Sequence, residues 1–190
     1  MLNIVIFGPP GAGKGTHSVR IVEKYKMVHI STGDIFRKEI SEQTELGLEV
    51  KGILAKGELV PDDLVVKVLV SVLEKNPQAN GFVFDGFPRT IVQAEKLDET
   101  LNSKNIPVSL VLSLDVKEEE LIERLLKRGA ETGRSDDNLD VIKQRLDVYR
   151  NQTEPLLDYY LKQNKLNTIH GIGKIDDIFA EVCHVIDAQI

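Results

Sequence analysis

The stretch Gly8-Pro9-Pro10-Gly11-Ala12-Gly13-Lys14-Gly15-Thr16 joins four glycines to one lysine and one threonine, a set suited to holding phosphate. Glycines let the backbone curl with its N–H groups turned inward, where side chains would obstruct them. The stretch follows the apolar run Leu2–Phe7 and leads into helical spacing at Val19, Ile21, Val22 and Tyr25. Strand, glycine-rich turn and helix is the context a phosphate-binding loop needs, because the amides then lie at the positive end of a helix dipole. Lys14 adds a mobile full charge for the outer phosphates, and the Thr16 hydroxyl is placed for a bound Mg2+. The order departs from G-x-x-x-x-G-K-[ST] in one respect: Gly15 stands between the lysine and the hydroxyl residue. Without its flanks the stretch would read as a turn with a solvated lysine; with them it reads as a nucleotide site.

Other residues with chemical potential are the arginines and one acid. The net charge is −6, which argues against a nucleic-acid-binding surface. Arg37, Arg89, Arg124, Arg128, Arg134 and Arg145 nevertheless cluster near distinctive segments, and arginines clustered in an acidic chain suggest a focused site for a small anion. Arg20 and Arg150 read as surface residues. Asp85 follows the apolar Phe82-Val83-Phe84; alone it would be a cap or turn residue, but beside a phosphate loop it reads as a magnesium-side acid. No metal-ligand spacing links the four histidines. His29 and His170, on short strands, are expected to be satisfied core residues, and Cys183 and His184 to be packing or surface residues.

These groups need elements to position them. A second strand is expected at Met27–Ile30, ending in Ser31-Thr32-Gly33-Asp34. Helical spacing resumes at Ile35, Phe36 and Ile40, then at Leu46, Val50, Ile53 and Leu54, and Gly57–Val60 breaks it. Pro61 with Asp62 and Asp63 is a helix-start signature. The run Leu64–Val70 looks strand-like by propensity, yet Lys67, Ser71 and Glu74 recur at helical intervals, so a mostly buried helix is predicted. Asn80-Gly81 reads as a turn, Phe82–Phe84 as a strand, and Gly86–Arg89 as the break before a helix near Thr90. Val108–Leu114 reads as a buried strand, with Asp115 and Glu118 as a capping pair for a helix Lys117–Arg128. Gly129–Asp137 is small and polar and is expected to be a mobile loop. A long helix follows through Leu139, Ile142, Leu146 and Tyr149, with Pro155 kinking or restarting it. Leu166–His170 is the last strand and Ile175–Ile190 the closing helix. Five strands alternating with helices predict an α/β fold, a parallel sheet covered on both faces, with ligands beyond the carboxyl ends of its strands.

The chain is long enough for one domain with a substantial core. It has no 18-residue apolar span, and its start lacks a signal-peptide pattern. Its single cysteine excludes an internal disulfide and a cysteine-rich zinc site. A cytoplasmic, monomeric protein with no membrane or nucleic-acid partner is the expectation.

The motifs together resemble the nucleoside monophosphate kinases, and within them the short-lid adenylate kinases. The resemblance rests on GPPGAGKGT, on Ser31–Asp34 with Arg37, on Lys56–Pro61, and on Asp85–Arg89 with Gln93. It continues through Arg124 with Arg128, Arg134 followed by Asp136 and Asp137, and Arg145, almost end to end in unbroken order. It implies a P-loop NTPase fold with a monophosphate-binding segment at about residues 31–60 and a short lid at about 127–137, both mobile. It implies reversible Mg2+-dependent transfer between ATP and AMP, giving ADP, in the adenine nucleotide balance. Gly11, Ala12, Gly13, Lys14, Gly15 and Thr16 would cradle the ATP phosphates, with Arg128 against the ATP adenine and the Gly173 backbone touching it. Thr32, Glu58, Leu59, Val60, Gly86, Phe87, Pro88 and Gln93 would surround AMP, whose phosphate Arg37 and Arg89 grip. Arg134 and Arg145 would close over the phosphoryl group, with Lys14, Arg89, Arg124 and Arg128 also catalytic; an ion pair to Glu120 or Glu123 is an equal reading of Arg124. Asp85 would order the water shell of the Mg2+. The short, cysteine-free lid implies no zinc. His17 stands where the family commonly has glutamine and, lying on the helix after the loop, is expected to matter little.

The residue types suit this chemistry. Phosphoryl transfer asks for positioning and charge neutralisation more than for covalent help. The attacking phosphate oxygen is mostly ionised at neutral pH, its second pKa being about 6, so no general base is required. Unit charges 4 Å apart at an effective dielectric of 20 interact by about 4 kcal/mol, and several arginines with Lys14 and Mg2+ can offset that repulsion. Arginine's planar fork binds phosphate oxygens in pairs. A lid excludes water, the competing acceptor; its closure is a known behaviour of this family. Thr32 and Gln93 favour AMP, since the related uridylate–cytidylate kinases typically have alanine and asparagine there. A GTP-dependent switch is disfavoured: the nearest guanine-type motif, Asn164-Lys165-Leu166-Asn167, ends in asparagine. A catalytically dead relative is disfavoured because every expected charged position is filled.

Overall fold

The computed structural model describes residues 1–190. Its sheet has five parallel strands in the order β2-β3-β1-β4-β5: β1 (Leu2–Phe7), β2 (Val28–Ser31), β3 (Gly81–Asp85), β4 (Leu110–Asp115) and β5 (Leu166–His170). Period-two alternation gives the sheet two buried faces. Val5, Phe7, Phe82, Phe84 and Val111 point into one core, with Leu69, Leu97 and Tyr160 from the covering helices. Ile4, Ile6, Val83, Leu110 and Leu112 point into the other, with Ile21, Leu125, Ile142 and Val182. Burial on both faces is what parallel strands joined by crossover helices require, and the α/β expectation holds.

Nine α-helices surround the sheet. Helix α1 (Lys14–Tyr25) follows the glycine loop, and α2 (Thr32–Ser41) starts on Ser31, whose side chain accepts the Asp34 N–H. Next come α3 (Glu45–Ala55), α4 (Asp62–Lys75) and α5 (Ile91–Ser103). The valine-rich run 64–70 lies inside α4, so polar spacing outweighs β-propensity there. Helices α6 (Glu118–Thr132) and α7 (Leu139–Val148) follow β4; α8 (Leu156–Leu161) precedes β5, and α9 (Ile175–Asp187) closes the chain.

Several local expectations are corrected. Gly81 is the first residue of β3 and not half of a turn. Its reason is space: a Cβ there would come within 1.9 Å of the Leu2 carbonyl oxygen on β1. Asp115 and Glu118 form no capping pair, because Asp115 ends β4 and α6 starts from Lys117 with no side-chain cap. Residues 129–132 are helical, so the segment between α6 and α7 is only 133–138. Gly133, at φ 68°, ends α6 in the left-handed conformation glycine favours. The helix restart at Pro155 is preceded by a π-helical turn, Tyr149–Thr153, in which Glu154 N–H reaches Tyr149 O at 2.9 Å; proline then starts α8. His170 is exposed at the edge strand and is no core residue.

Two glycine substitutions test this packing. Gly81→Ala should destabilise by about 3 kcal/mol in denaturant unfolding, because backbone must move. Gly52→Ala, in exposed α3 with nothing within 4 Å, should stabilise by up to about 1 kcal/mol.

Candidate active site

The carboxyl ends of β1, β2 and β3 meet at one edge. Strand register sets Ile6 beside Asp85, and Asp85 beside Ser31. The loop after β1 therefore opens over the ends of β2 and β3. It curls through Gly8, Gly11 and Gly13, at φ 141°, 87° and 91°. At Gly11 a Cβ would also press on α6, 3.0 Å from the Leu121 carbonyl oxygen.

Above this edge lies a cavity of about 550 Å3. It is lined by Gly11, Ala12, Gly13, Lys14, Gly15, Thr16, Arg37, Asp85, Gly86, Arg89, Arg124, Arg128, Arg134, Arg145 and Gly173. One concavity thus unites the loop with all six singled-out arginines, which come from α2, α6, α7 and the segments before α5 and α7.

Charge in the cavity is crowded. Lys14 is lowered to about 8, chiefly by burial; Asp85 opposes the shift, and Arg89, Arg145 and Arg128 add to it. Its ammonium leans on the loop's own carbonyls, donating to Gly8 O at 2.6 Å and Pro9 O at 2.9 Å. Arg89 is lowered to about 10 by burial and then by Arg145. Its Nε donates to Gly86 O at 2.7 Å. Arg134 is lowered by burial, Arg37 and Arg128, and its side chain makes no hydrogen bond or ion pair.

Two acids hold part of this charge. Asp137, with its side chain fully buried, takes a two-pronged contact from Arg128 (2.6 and 2.8 Å) and a third bond from Arg145 at 2.9 Å. Asp136 pairs with Arg145 at 2.9 Å. Burial pushes the Asp137 pKa up, but the bonds and charge of Arg128, then Arg145, outweigh it and leave the pKa below the usual carboxylate value. Gly129 permits this docking, since a Cβ on it would lie 2.8 Å from the Asp137 carbonyl oxygen. Asp136 and Asp137 were legible as neighbours of Arg134 but not as its partners' anchors.

The two arginines of α6 face different ends. Arg124 bonds Glu120 at 2.8 Å and the Gly171 carbonyl at 3.1 Å, beside the Gly173 turn. Arg128 is tied to Asp137 among the phosphate-side cations. Arg124 therefore lies against the turn that carries Gly173, while Arg128, one helical turn later, is held by Asp137.

The residues expected around the second nucleotide are split. Thr32, Glu58, Leu59, Val60, Gly86, Arg89 and Gln93 line a small cavity of about 20 Å3. Their polar groups are engaged: Thr32 Oγ1 donates to Gly86 O at 2.9 Å, Gln93 Oε1 accepts the Arg89 N–H at 2.7 Å, and Gln93 Nε2 donates to Asp62 at 2.7 Å. Asp62, which the sequence marks only as a helix-start acid, is thus the residue that fixes Gln93. Phe87 and Pro88 line a separate cavity of about 80 Å3 behind the loop, and the Phe87 ring is core. Arg37 is paired with Asp34.

Asp85 is 8% exposed, and its Oδ2 lies 3.7 Å from where a Gly15 Cβ would be, so the carboxylate faces the loop. His29 stands behind it, with Nε2 3.6 Å from Oδ2 and no hydrogen-bond partner; it is not the satisfied core residue expected. A carboxylate and the Thr16 hydroxyl beside a phosphate loop are hard oxygen donors, a set that fits Mg2+ sharing its shell with phosphate and water. No group of three or more His, Cys, Asp or Glu residues is placed to hold a metal by protein alone. No helix is long and apolar enough to cross a membrane.

Comparison with known proteins points to one family. Residues 6–165 match the family model described as adenylate kinase. The chain is 52% identical over 187 residues to the adenylate kinase of Bacteroides thetaiotaomicron, covering 98% of this chain and 99% of that one. It is 53% identical to that of Phocaeicola vulgatus with the same coverage, and 46% identical to that of Porphyromonas gingivalis over 98% and 96% of the two chains.

Asp137→Asn should lower stability at pH 7 by about 1–3 kcal/mol, the usual value of charged hydrogen bonds. Because the folded-state pKa is depressed, the stabilisation is present above the unfolded value of about 3.9 and is lost as pH falls through the folded one. Denaturant unfolding of both proteins from pH 7 to pH 3 should show the difference shrinking below about pH 4.

Proposed function

The chain belongs to the adenylate kinase family and is a phosphotransferase, and we propose that it moves the terminal phosphoryl group of ATP onto AMP, reversibly, giving two ADP. The observation that carries this reading is the single cavity in which a phosphate loop faces six arginines. A hydrolase needs to hold one phosphate chain; this charge suits two chains brought end to end.

Gly11 to Thr16 take the ATP phosphates, and Arg37 with Arg89 the AMP phosphate. Thr32, Glu58, Leu59, Val60, Gly86, Phe87, Pro88 and Gln93 border AMP. The ionised AMP oxygen attacks the terminal phosphorus of ATP; the bond from that phosphorus to the bridging oxygen breaks, and its electron pair leaves on ADP. No proton moves. Lys14, Arg89, Arg128, Arg134 and Arg145 neutralise the group in passage, a role worth most in a site closed to water. Arg124 and the Gly173 backbone border the ATP base. Asp85 and Thr16 would hold Mg2+, which draws charge from the phosphate oxygens when bound with ATP.

Residues 31–60 and 127–137 are the parts proposed to move. Support comes from the 20 Å3 cavity at the AMP-base residues, too small for a purine, so the 31–60 segment must open to admit it. On the other side, Arg128 and Arg145 are held by Asp137 and can turn to phosphate as the lid closes. A cytoplasmic monomer is part of the same reading.

The test is ADP formation from ATP with AMP, UMP or CMP, with and without Mg2+. AMP should be used fastest and Mg2+ required; faster UMP turnover would overturn the adenine assignment. Lys14→Met should cut turnover about a hundredfold or more with the fold retained. Arg89→Ala should weaken AMP far more than ATP in direct binding, and equal losses would remove its assignment.

A further inference from the structure

His17 lies one residue past the phosphate cradle, on α1, and is only 3% exposed. Its ring packs nearly parallel to that of Phe179 on α9, with centroids 6.3 Å apart and planes 13° apart. The Arg20 guanidinium lies 4.2 Å from the centroid of the same Phe179 ring. His17 also lines the main cavity, as do Gly13, Gly171, Gly173 and Ile175. A polar ring buried there is costly unless it is hydrogen-bonded, and Nδ1 is buried with no partner.

Nδ1 is enclosed with no partner, whereas Nε2 is not among the enclosed unpartnered atoms; with the ring's proton on Nε2 the imidazole can donate into the cavity. The Nε2 edge faces Gly13: a Cβ on that glycine would lie 3.9 Å from it.

Helix packing locates it in the cavity. The His17 face of α1 lies against α9, through the Phe179 ring and the Arg20–Asp176 ion pair at 2.8 Å, and α9 begins directly after the turn carrying Gly173. His17 therefore lies between the cradle and the rim carrying Gly173. A triphosphate seated in the loop with its base at that rim passes its sugar over this edge. One N–H matches a hydroxyl oxygen there, while the phosphates have the loop amides and Lys14.

We infer that His17 is a binding residue for the donor nucleotide, giving its Nε2–H to a ribose hydroxyl of ATP; the inference rests on the loop's assignment to ATP. Binding of ATP, 2′,3′-dideoxy-ATP, inorganic tripolyphosphate and AMP is measured by calorimetry on the wild type, His17→Gln and His17→Leu. Wild type should bind ATP about three- to tenfold more tightly than the dideoxy compound, as one hydrogen bond allows. His17→Leu should lose that preference with tripolyphosphate and AMP unchanged, and His17→Gln, which keeps an N–H donor, should retain most of it. Equal wild-type affinity for ATP and its dideoxy form would overturn the inference even if the leucine variant did not fold. So would a leucine variant that weakens tripolyphosphate as much as ATP. Failure of the underlying assignment would look different: wild type would bind neither ATP nor tripolyphosphate.

Discussion

Lys14, Arg89, Arg128, Arg134 and Arg145 face one cavity, and their mutual repulsion is the constraint that the surrounding structure answers. Burial and neighbouring cations bring Lys14 down to about 8 and Arg89 to about 10. The chain relieves only part of this strain by itself. Asp136 and Asp137 take up Arg128 and Arg145, and backbone carbonyls take up Lys14 and Arg89. Arg134 keeps no partner. A site so built is completed by polyanions, and the protein's acidic surface, net −6, makes the cavity a local exception.

Everything else in the fold serves to bring those cations together without collapse. The parallel register puts the loop after β1 against the ends of β2 and β3, so Asp85 and Ser31 sit at its floor. Two glycine-permitted approaches then set the walls: Gly11 lets the loop touch α6, and Gly129 lets the 133–138 segment fold back on the same helix. Helix α6 consequently carries one arginine toward each end of the site. Asp136 and Asp137, which hold Arg128 and Arg145, would compete with a bound phosphate for the same guanidinium groups, so under the proposed closure ligand binding and the position of the 133–138 segment are linked through Asp137.

Much of this was readable beforehand, for identifiable reasons. The loop announces itself because its chemistry lies in a contiguous run, and α4 is legible because three polar residues keep helical time within a valine-rich stretch. What escaped depends on contacts between distant segments. Gly81 looked like a turn residue because its partner, the Leu2 carbonyl, is 79 positions away. Asp62 looked like a helix-start acid, although it also fixes Gln93. The helix α6 runs past the glycine at 129 since that glycine answers a tertiary approach and not a helix end. His29 reads in the sequence as a satisfied core residue and His17 as one of little consequence, because burial of one ring nitrogen without a partner has no signature in a single sequence.

The central claim is that the cavity holds cations that only polyanions complete. It is tested most directly by the side-chain nitrogen resonance of Lys14, titrated in the free protein and with ATP bound without metal. The account predicts a pKa near 8 when free, rising by about one unit or more once phosphate lies against it. An ordinary lysine value of about 10.4 in the free protein, unmoved by ATP, would contradict it.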